Sequence, residues 1–417
     1  MEVLVRTAIF KPANQLLALL LQQAVDRAES AYVLRPGERR KGREPLTVQG
    51  MFGSFQLMRR YYYHPGKQRG HFPADTALGL DGSYTPALAR LICLEGADAA
   101  SFHQGSKHLE EVGGIPVSER QIQRVVSRVG ESALKWQKRE SPPGSCDAEI
   151  LYISADATGV PMRAEELEGR RGKAPDGKAK TRMAMLGCVF TQHQEDEEGN
   201  PMRDHESTTY LSGFQSPSDF GIGLRREAIR RGYFSAKQVV LLIDGATGLE
   251  KFGRDYFPDA IQIVDFYHAL EHLKTLIETL WGKDDPKQND RRRRHWKKLL
   301  ARDGVERIIK QARSQAIERG KVTEVEAALG YFLNNIARMQ YGTFRAKKYF
   351  IGSGVIEAGC RTIIGKRCKQ SGMFWGVQGA DKVLSFRCIH ASRNADSFWK
   401  YHLDSSSPEK SSLPLAA

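Results

Sequence analysis

Residues 264–276, "VDFYHALEHLKTL", admit two incompatible readings. His268-Ala269-Leu270-Glu271-His272 fits H-x-x-E-H, a helical zinc-ligand pattern of inverted zinc peptidases. The same stretch follows a strand-like "IQIVD" (261–265) without a break, and that strand ends in an acid, Asp265. Read the first way, the chain is built around a zinc helix. Read the second way, the stretch is the shoulder of a sheet whose strands deliver carboxylates to one edge.

The flanking chain favours the sheet. "QVVLLIDGATG" (238–248) is nearly all apolar up to Asp244, as in a strand buried on both faces. "EILYISAD" (149–156) is a β-rich run ending on Asp156. "TRMAMLGCVF" (181–190) and "STTYLSGF" (207–214) form two further strands, and a helical stretch at 217–231 precedes the apolar one. The order β-β-β-α-β-α-β predicts an α/β fold, a mixed five-stranded sheet with helices packed on it. Strands that end on Asp156 and Asp244 bring two carboxylates together if they are neighbours. Such a pair repels unless a cation neutralises it. Hard oxygen donors suit Mg2+ or Mn2+, and two such ions about 4 Å apart can promote in-line phosphoryl transfer. Taken singly, a strand-end aspartate also serves as an ordinary turn cap.

The totals agree with a polyanionic partner. The 417 residues carry a formal charge of +14, which points to nucleic acid, with a merely solvated surface as the plain alternative. A hydrophobic share of 41% is enough for real cores. Six scattered cysteines without a C-x-x-C pair argue against a disulfide framework and suit a reducing cytoplasm. No uninterrupted apolar run approaches the roughly 18 residues of a membrane span, and no signal-peptide order is visible, so no membrane partner is expected.

Residues 1–140 read as a mainly helical region. It has an amphipathic helix after Pro12, a short hairpin at 46–63 and a Gly-, His- and Pro-rich loop at 64–75. Within 97–136 two helices flank Gly113-Gly114. Ser118 and Gln121 form a capping box, and Ile122, Val125, Val126 and Val129 repeat at helical spacing. Arg120, Arg124 and Arg128 lie away from that stripe, which fits a DNA-binding helix-turn-helix and an ordinary helical hairpin equally well. "SPPGS" (141–145) is a linker. From 269 to 350 the chain is helical and charged. Its run Arg291, Arg292, Arg293, Arg294 with Lys297 either tracks a DNA backbone around Trp296 or forms a solvated helix face. In "IGSGVIEAGCRTIIGKRCKQSG" (351–372) a helix begins near Val355, with Glu357 at the edge of a stripe formed by Ile356, Cys360, Ile363 and the stem of Arg367. Residues 401–417 read as a disordered tail.

"YISADATGVPM", "LLIDGATGLEKF", "IQIVDFYHALEHL" and "SGVIEAGCRTIIGKRCKQSGMFW" resemble corresponding blocks of the DDE transposases of the ISKra family of bacterial insertion sequences, over roughly residues 45 to 395. The resemblance implies an RNase H-like catalytic domain. Residues 149–268 would be its first part, 269–350 an all-helical insertion, and 351–400 its second part, which carries the Glu helix. It implies a catalytic triad of Asp156, Asp244 and Glu357, spaced 244 − 156 = 88 and 357 − 244 = 113 residues apart, holding two Mg2+ (or Mn2+) ions per active site. Asp265 and His268 match a D-x-x-H signature and would stand beside the site, whereas His272 would be incidental. Arg361, Lys366, Arg367 and Lys369 would meet phosphate near the chemistry. The implied partners are the element's terminal repeats, target DNA and at least one further copy of the chain, at the nucleoid of a bacterial cytoplasm. Two departures stand out: Ala157 replaces the usual glycine, and a Cys-containing knuckle is missing, leaving His64 and His71. The rival readings are an inactive, transposase-derived DNA-binding protein, an RNase H-like nuclease or resolvase and, more distantly, a zinc metallopeptidase.

Overall fold

A computed structural model describes residues 1–172, 179–246 and 248–405. The chain divides into two compact units. One comprises Met1–Trp136 with Gln378–His390 and the chain from Asn394 on; the other comprises Gln137–Val377 with Ala391–Arg393.

The first unit begins with α1 (Glu2–Ala31), which runs through Pro12 instead of starting after it. It packs on a hairpin of β1 (Arg39–Gly50) and β2 (Gly53–His64), to which β3 (Arg69–His71) adds a third strand. Asn14 and Gln22 donate to the Ser54 and Met58 carbonyls, and Val25 joins Val48, Leu57 and Ala74 in a small core. Phe10 sets its edge against Phe52 before the proline, and the other contacts follow it, so losing one backbone donor does not end the helix. The segment Leu4–Ala31 is long and apolar enough, by length and composition, to cross a membrane. Scattered polar residues keep it from being an uninterrupted apolar run without lowering its average. Four helices follow: α2 (Pro73–Ala77), α3 (Pro86–Asp98), α4 (Phe102–Glu111) and α5 (Glu119–Lys138). On α5 the stripe Ile122, Val125, Val126 and Val129 is buried, as its spacing predicts. The Ser118 N–H donates to Gln121 Oε1 at 2.9 Å, the reciprocal half of the capping box.

The second unit is built on a five-stranded mixed sheet. Its strands are β4 (Ile150–Pro161), β5 (Thr181–Gln192), β8 (Thr209–Gly213), β9 (Gln238–Ile243) and β10 (Ile261–Val264). A two-stranded ribbon of β6 (Gln194–Glu195) and β7 (Pro201–Met202) lies outside it. The sheet order is β10-β9-β4-β5-β8, with β4, β5 and β8 antiparallel and β4, β9 and β10 parallel. Helices α6 (Pro217–Arg230) and α7 (Leu249–Tyr256) make the crossovers, and Phe220, Leu224 and Phe252 bury against Leu151, Ile153, Leu241 and Ile243 on one face. The other face carries Tyr152 stacked on Phe190, with centroids 4.9 Å apart, and Phe350 edge-on to both.

A helical segment separates β10 from the chain's return to the sheet. It contains α8 (Phe266–Trp281), α9 (Pro286–Leu300), α10 (Val305–Glu318), α11 (Val322–Leu333) and α12 (Tyr341–Ala346). Then α13 (Gly354–Gly359) runs through a π-helical turn, Cys360–Gly365, into α14 (Lys366–Cys368). α13 packs on β4 and β5.

The last two helices, α15 (Val377–Ala391) and α16 (Ala395–Ser405), differ from expectation. The resemblance places residues up to 400 in the sheet domain, but most of these helices group with the first unit. Lys382 donates to Ser127 and Glu131, Arg387 donates to Asp98 and the Ala97 carbonyl, and Phe398 sets its edge against Trp136. An apolar helix does not announce in its sequence which core it will join. Of the expected tail, 401–405 continue α16 and 406–417 lie outside the described residues.

His390 Nδ1 lies 3.1 Å from Asp98 Oδ2, and this bond raises the imidazole pKa above its ordinary value. A raised folded-state pKa contributes stability below the ordinary value of about 6.5 and loses it as pH rises through the folded value. Urea unfolding followed from about pH 6 to about pH 9 should show the wild type losing stability relative to His390→Gln, whose profile stays flatter.

Candidate active site

The parallel register places the strand-end acids. Ala155 pairs with Ile243, and Ile243 with Val264. The next residue on each chain is an aspartate: Asp156, Asp244 and Asp265. Side chains alternate along a strand. Leu151 and Ile153 face α6 and α7, so Tyr152, Ser154 and Asp156 face the side covered by α13 and its π-helical turn. The Ser154 hydroxyl donates to the Leu242 carbonyl at 2.6 Å and ties β4 to β9 two residues before the acids.

The three aspartates have different surroundings. Asp156 is half-buried, and its Oδ1 accepts from the Ala157 N–H at 2.6 Å. Ala157 lies in the strand without a positive φ, so the methyl in place of glycine is accommodated. The Cys360 thiol bonds to Asp156; burial first, and then this carboxylate, push the thiol well above its ordinary pKa. Asp244 is half-buried, and its Oδ1 takes no hydrogen bond from any described residue. Asp265 is fully buried and caps α8, accepting from the His268 N–H at 2.7 Å; its other oxygen accepts from the Ser353 N–H. His268 Nδ1 stands 3.7 Å from Asp265 Oδ1.

Glu357 is exposed on α13, and its Oε1 accepts from the Ser353 hydroxyl at 2.6 Å. Among the described residues no group of three or more His, Cys, Asp or Glu side chains stands close enough to hold a metal ion. Two carboxylates in register, one with a buried oxygen that lacks a donor, are nevertheless the donors a hard divalent cation prefers.

The helical segment supplies residues to this site that its sequence did not advertise. Tyr331 lies over Gly245, where a Cβ would come within 2.7 Å of its Oη. Glycine is needed there for close approach, not for its dihedral freedom. Burial, with the Asp244 and Asp265 carboxylates, raises the Tyr331 pKa strongly. Asn335 donates to the carbonyls of Gly245 and Tyr331, and Arg338 donates to Asn335 Oδ1. His272 stacks on Tyr331 with centroids 3.5 Å apart; desolvation lowers its pKa and Asp244 opposes that shift. It therefore packs beside the strand end that carries Asp244.

The basic residues sort by burial. Arg120 and Arg124 are exposed on α5, as are Arg291, Arg293, Arg294 and Lys297 on α9, and Arg361 and Lys366 beyond Glu357. Arg292 folds over the Trp281 ring at 4.5 Å and donates to Asn289. Trp296 is buried and donates to Gln311, so it is core and does not form a surface for DNA. Arg367 is only 1% exposed, with its guanidinium 4.9 Å from the Trp375 ring centre, which removes it from the expected phosphate contacts. Lys369 donates to Thr158, two residues past Asp156. His64 accepts from the Lys67 N–H, and His71 lies beside Tyr32 and Glu38. Part of the basic loop between β4 and β5, residues 173–178, lies outside the described residues.

A model of the uncharacterised protein family UPF0236 matches residues 9–385. The chain belongs to that family. A UPF0236 protein in the vanSb 3' region of Streptococcus gallolyticus is 24% identical over 355 residues, covering 82% of this chain and 71% of the relative. Among solved structures, the Drosophila P element transposase strand transfer complex is similar at 12% identity and a TM-score of 0.26, covering 77% of this chain and 80% of that one.

In this UPF0236 chain Gly245→Ala forces Tyr331 or the Asp244 loop to move, an overpacking cost of about 1–3 kcal/mol. Tyr331→Ala in the same chain should remove most of that excess. A double-mutant cycle of urea midpoints measures the coupling, which would be absent if the two residues did not meet.

Proposed function

We propose that this chain is a DNA transposase of the DDE type, similar to those of the ISKra insertion sequences. It would cleave phosphodiesters and join the freed 3′-hydroxyl to target DNA. The observation that carries the reading is the register: Asp156 and Asp244 follow directly on the paired residues Ala155 and Ile243 of adjacent parallel strands. The sheet order supports it, because three antiparallel strands followed by two parallel ones in the order β10-β9-β4-β5-β8 is the arrangement of an RNase H-like domain. The helix that bears Glu357 packs on the strand that bears Asp156.

Asp156 and Asp244 would hold Mg2+ or Mn2+, with DNA phosphate oxygens and water filling the remaining positions. When bound, such ions activate a water or 3′-hydroxyl and stabilise the leaving oxygen. Glu357 would serve as the third carboxylate, presented by Ser353. Lys369, held at Thr158, would offset phosphate charge beside Asp156. Tyr331 and His272 would exclude water on the Asp244 side. The exposed arginines of α5 and α9 would neutralise backbone phosphate, each contact steepening the salt dependence of binding. The absence of an assembled carboxylate trio among the described residues is the specific observation favouring an inactive DNA-binding relative as the second reading.

Plasmid DNA carrying the gene's own flanks, incubated with Mg2+ or Mn2+, separates the two readings. Wild type should nick at defined ends. Asp244→Asn should lose several kcal/mol of transition-state stabilisation, roughly a thousandfold in rate, while DNA affinity stays nearly unchanged. Equal binding by both proteins with no nicking by either would establish the binding protein instead.

A further inference from the structure

We infer that Asp265 is a positioning residue, not a metal ligand, and that it sets Glu357 through Ser353. This rests on the reading of Glu357 as the third catalytic carboxylate. Asp265 has no exposed surface, and both its oxygens are occupied by backbone donors: Oδ1 by the His268 N–H and Oδ2 by the Ser353 N–H. With about half of its lone-pair sites used and no surface open to solvent, this carboxylate is poorly placed to take a cation. The same bonds join two points 88 residues apart, the end of β10 and the start of the Glu helix. The Ser353 hydroxyl then donates to Glu357 Oε1, and the Glu357 N–H donates to the Ser353 carbonyl at 3.1 Å.

Two further bonds hold the returning chain in place. The Phe266 N–H donates to the Ile351 carbonyl at 2.8 Å, and the Phe350 N–H donates to the Tyr152 hydroxyl at 3.1 Å. The segment 350–353 is thus pinned to β4, to β10 and to the start of α8, and Ser353 passes the constraint on to the Glu357 carboxylate. An aspartate is required at 265 because it accepts twice. Asparagine offers one acceptor oxygen and would turn an amide N–H toward a backbone N–H.

The test uses the full-length chain with Asp265→Asn, Ser353→Ala and Ser353→Thr, and two readouts. Amide hydrogen exchange needs no substrate. Asp265→Asn should speed exchange across 351–359 while β9 stays protected. Mn2+-dependent nicking reads the placement of Glu357. Ser353→Ala keeps both backbone bonds to Asp265 but should nick about tenfold more slowly, the worth of one hydrogen bond, and should require more Mn2+. DNA affinity should not change, and Ser353→Thr, which keeps the hydroxyl, should restore the rate. Should Asp265→Asn not fold, the alanine and threonine pair at 353 still decides. Unchanged exchange in Asp265→Asn, or wild-type nicking by Ser353→Ala, overturns the inference. A wild type that does not nick at all refutes the transposase reading, and the exchange data still decide whether the Asp265 bonds hold the Glu helix.

Discussion

The parallel pairing of β4, β9 and β10 is the constraint on which the site depends. Once Ala155, Ile243 and Val264 are aligned, the chain has no freedom over where the following aspartates sit. A slip of one residue would turn Asp156 toward the apolar face packed by Phe220 and Leu224. Parallel strands need long crossovers, and α6 and α7 supply them while burying the opposite face. The sheet therefore separates two tasks. One face builds the core, and the other is left for the acids and for the helix that carries Glu357.

Three aspartates at one level would be costly if all were alike, because like charges in a partly dry site repel. The structure makes them unlike. Asp265 is stabilised by two backbone N–H donors, one in the first turn of α8 and one at the N-cap of α13, where partial positive charge is available. Asp156 is steadied by its own neighbour's N–H and the Cys360 thiol. Asp244 keeps a buried oxygen without a donor among the described residues. It lies where Tyr331 and His272 pack in from the helical segment.

That segment could have been a charged appendage, and its sequence reads as one. Instead α11 and the turn after it bring Tyr331 and Asn335 onto Gly245. The same distinction runs through the basic residues. Arg367 looks in sequence like a phosphate contact and is in fact a buried packing group over Trp375, while Lys369, two residues on, reaches Thr158 on the acid-bearing strand. The charge count foretold a basic surface. It could not say which cations face water.

The sequence by itself determined the sheet's strands and their order in the chain, because apolar runs of strand length ending on acids leave few alternatives. The placement of Asp156 and Asp244 at neighbouring strand ends was legible for that reason, and that of Glu357 on a helix beside an apolar stripe. The stripe on α5 was legible from its period. Only the tertiary structure decided that α1 runs through Pro12, that α15 and α16 mostly belong with the first unit, and that Asp265 reaches across 88 residues to Ser353. Those outcomes depend on contacts between segments far apart in the chain. Periodicity shows that a surface must be buried, but which surface meets it is settled only when the chain has folded.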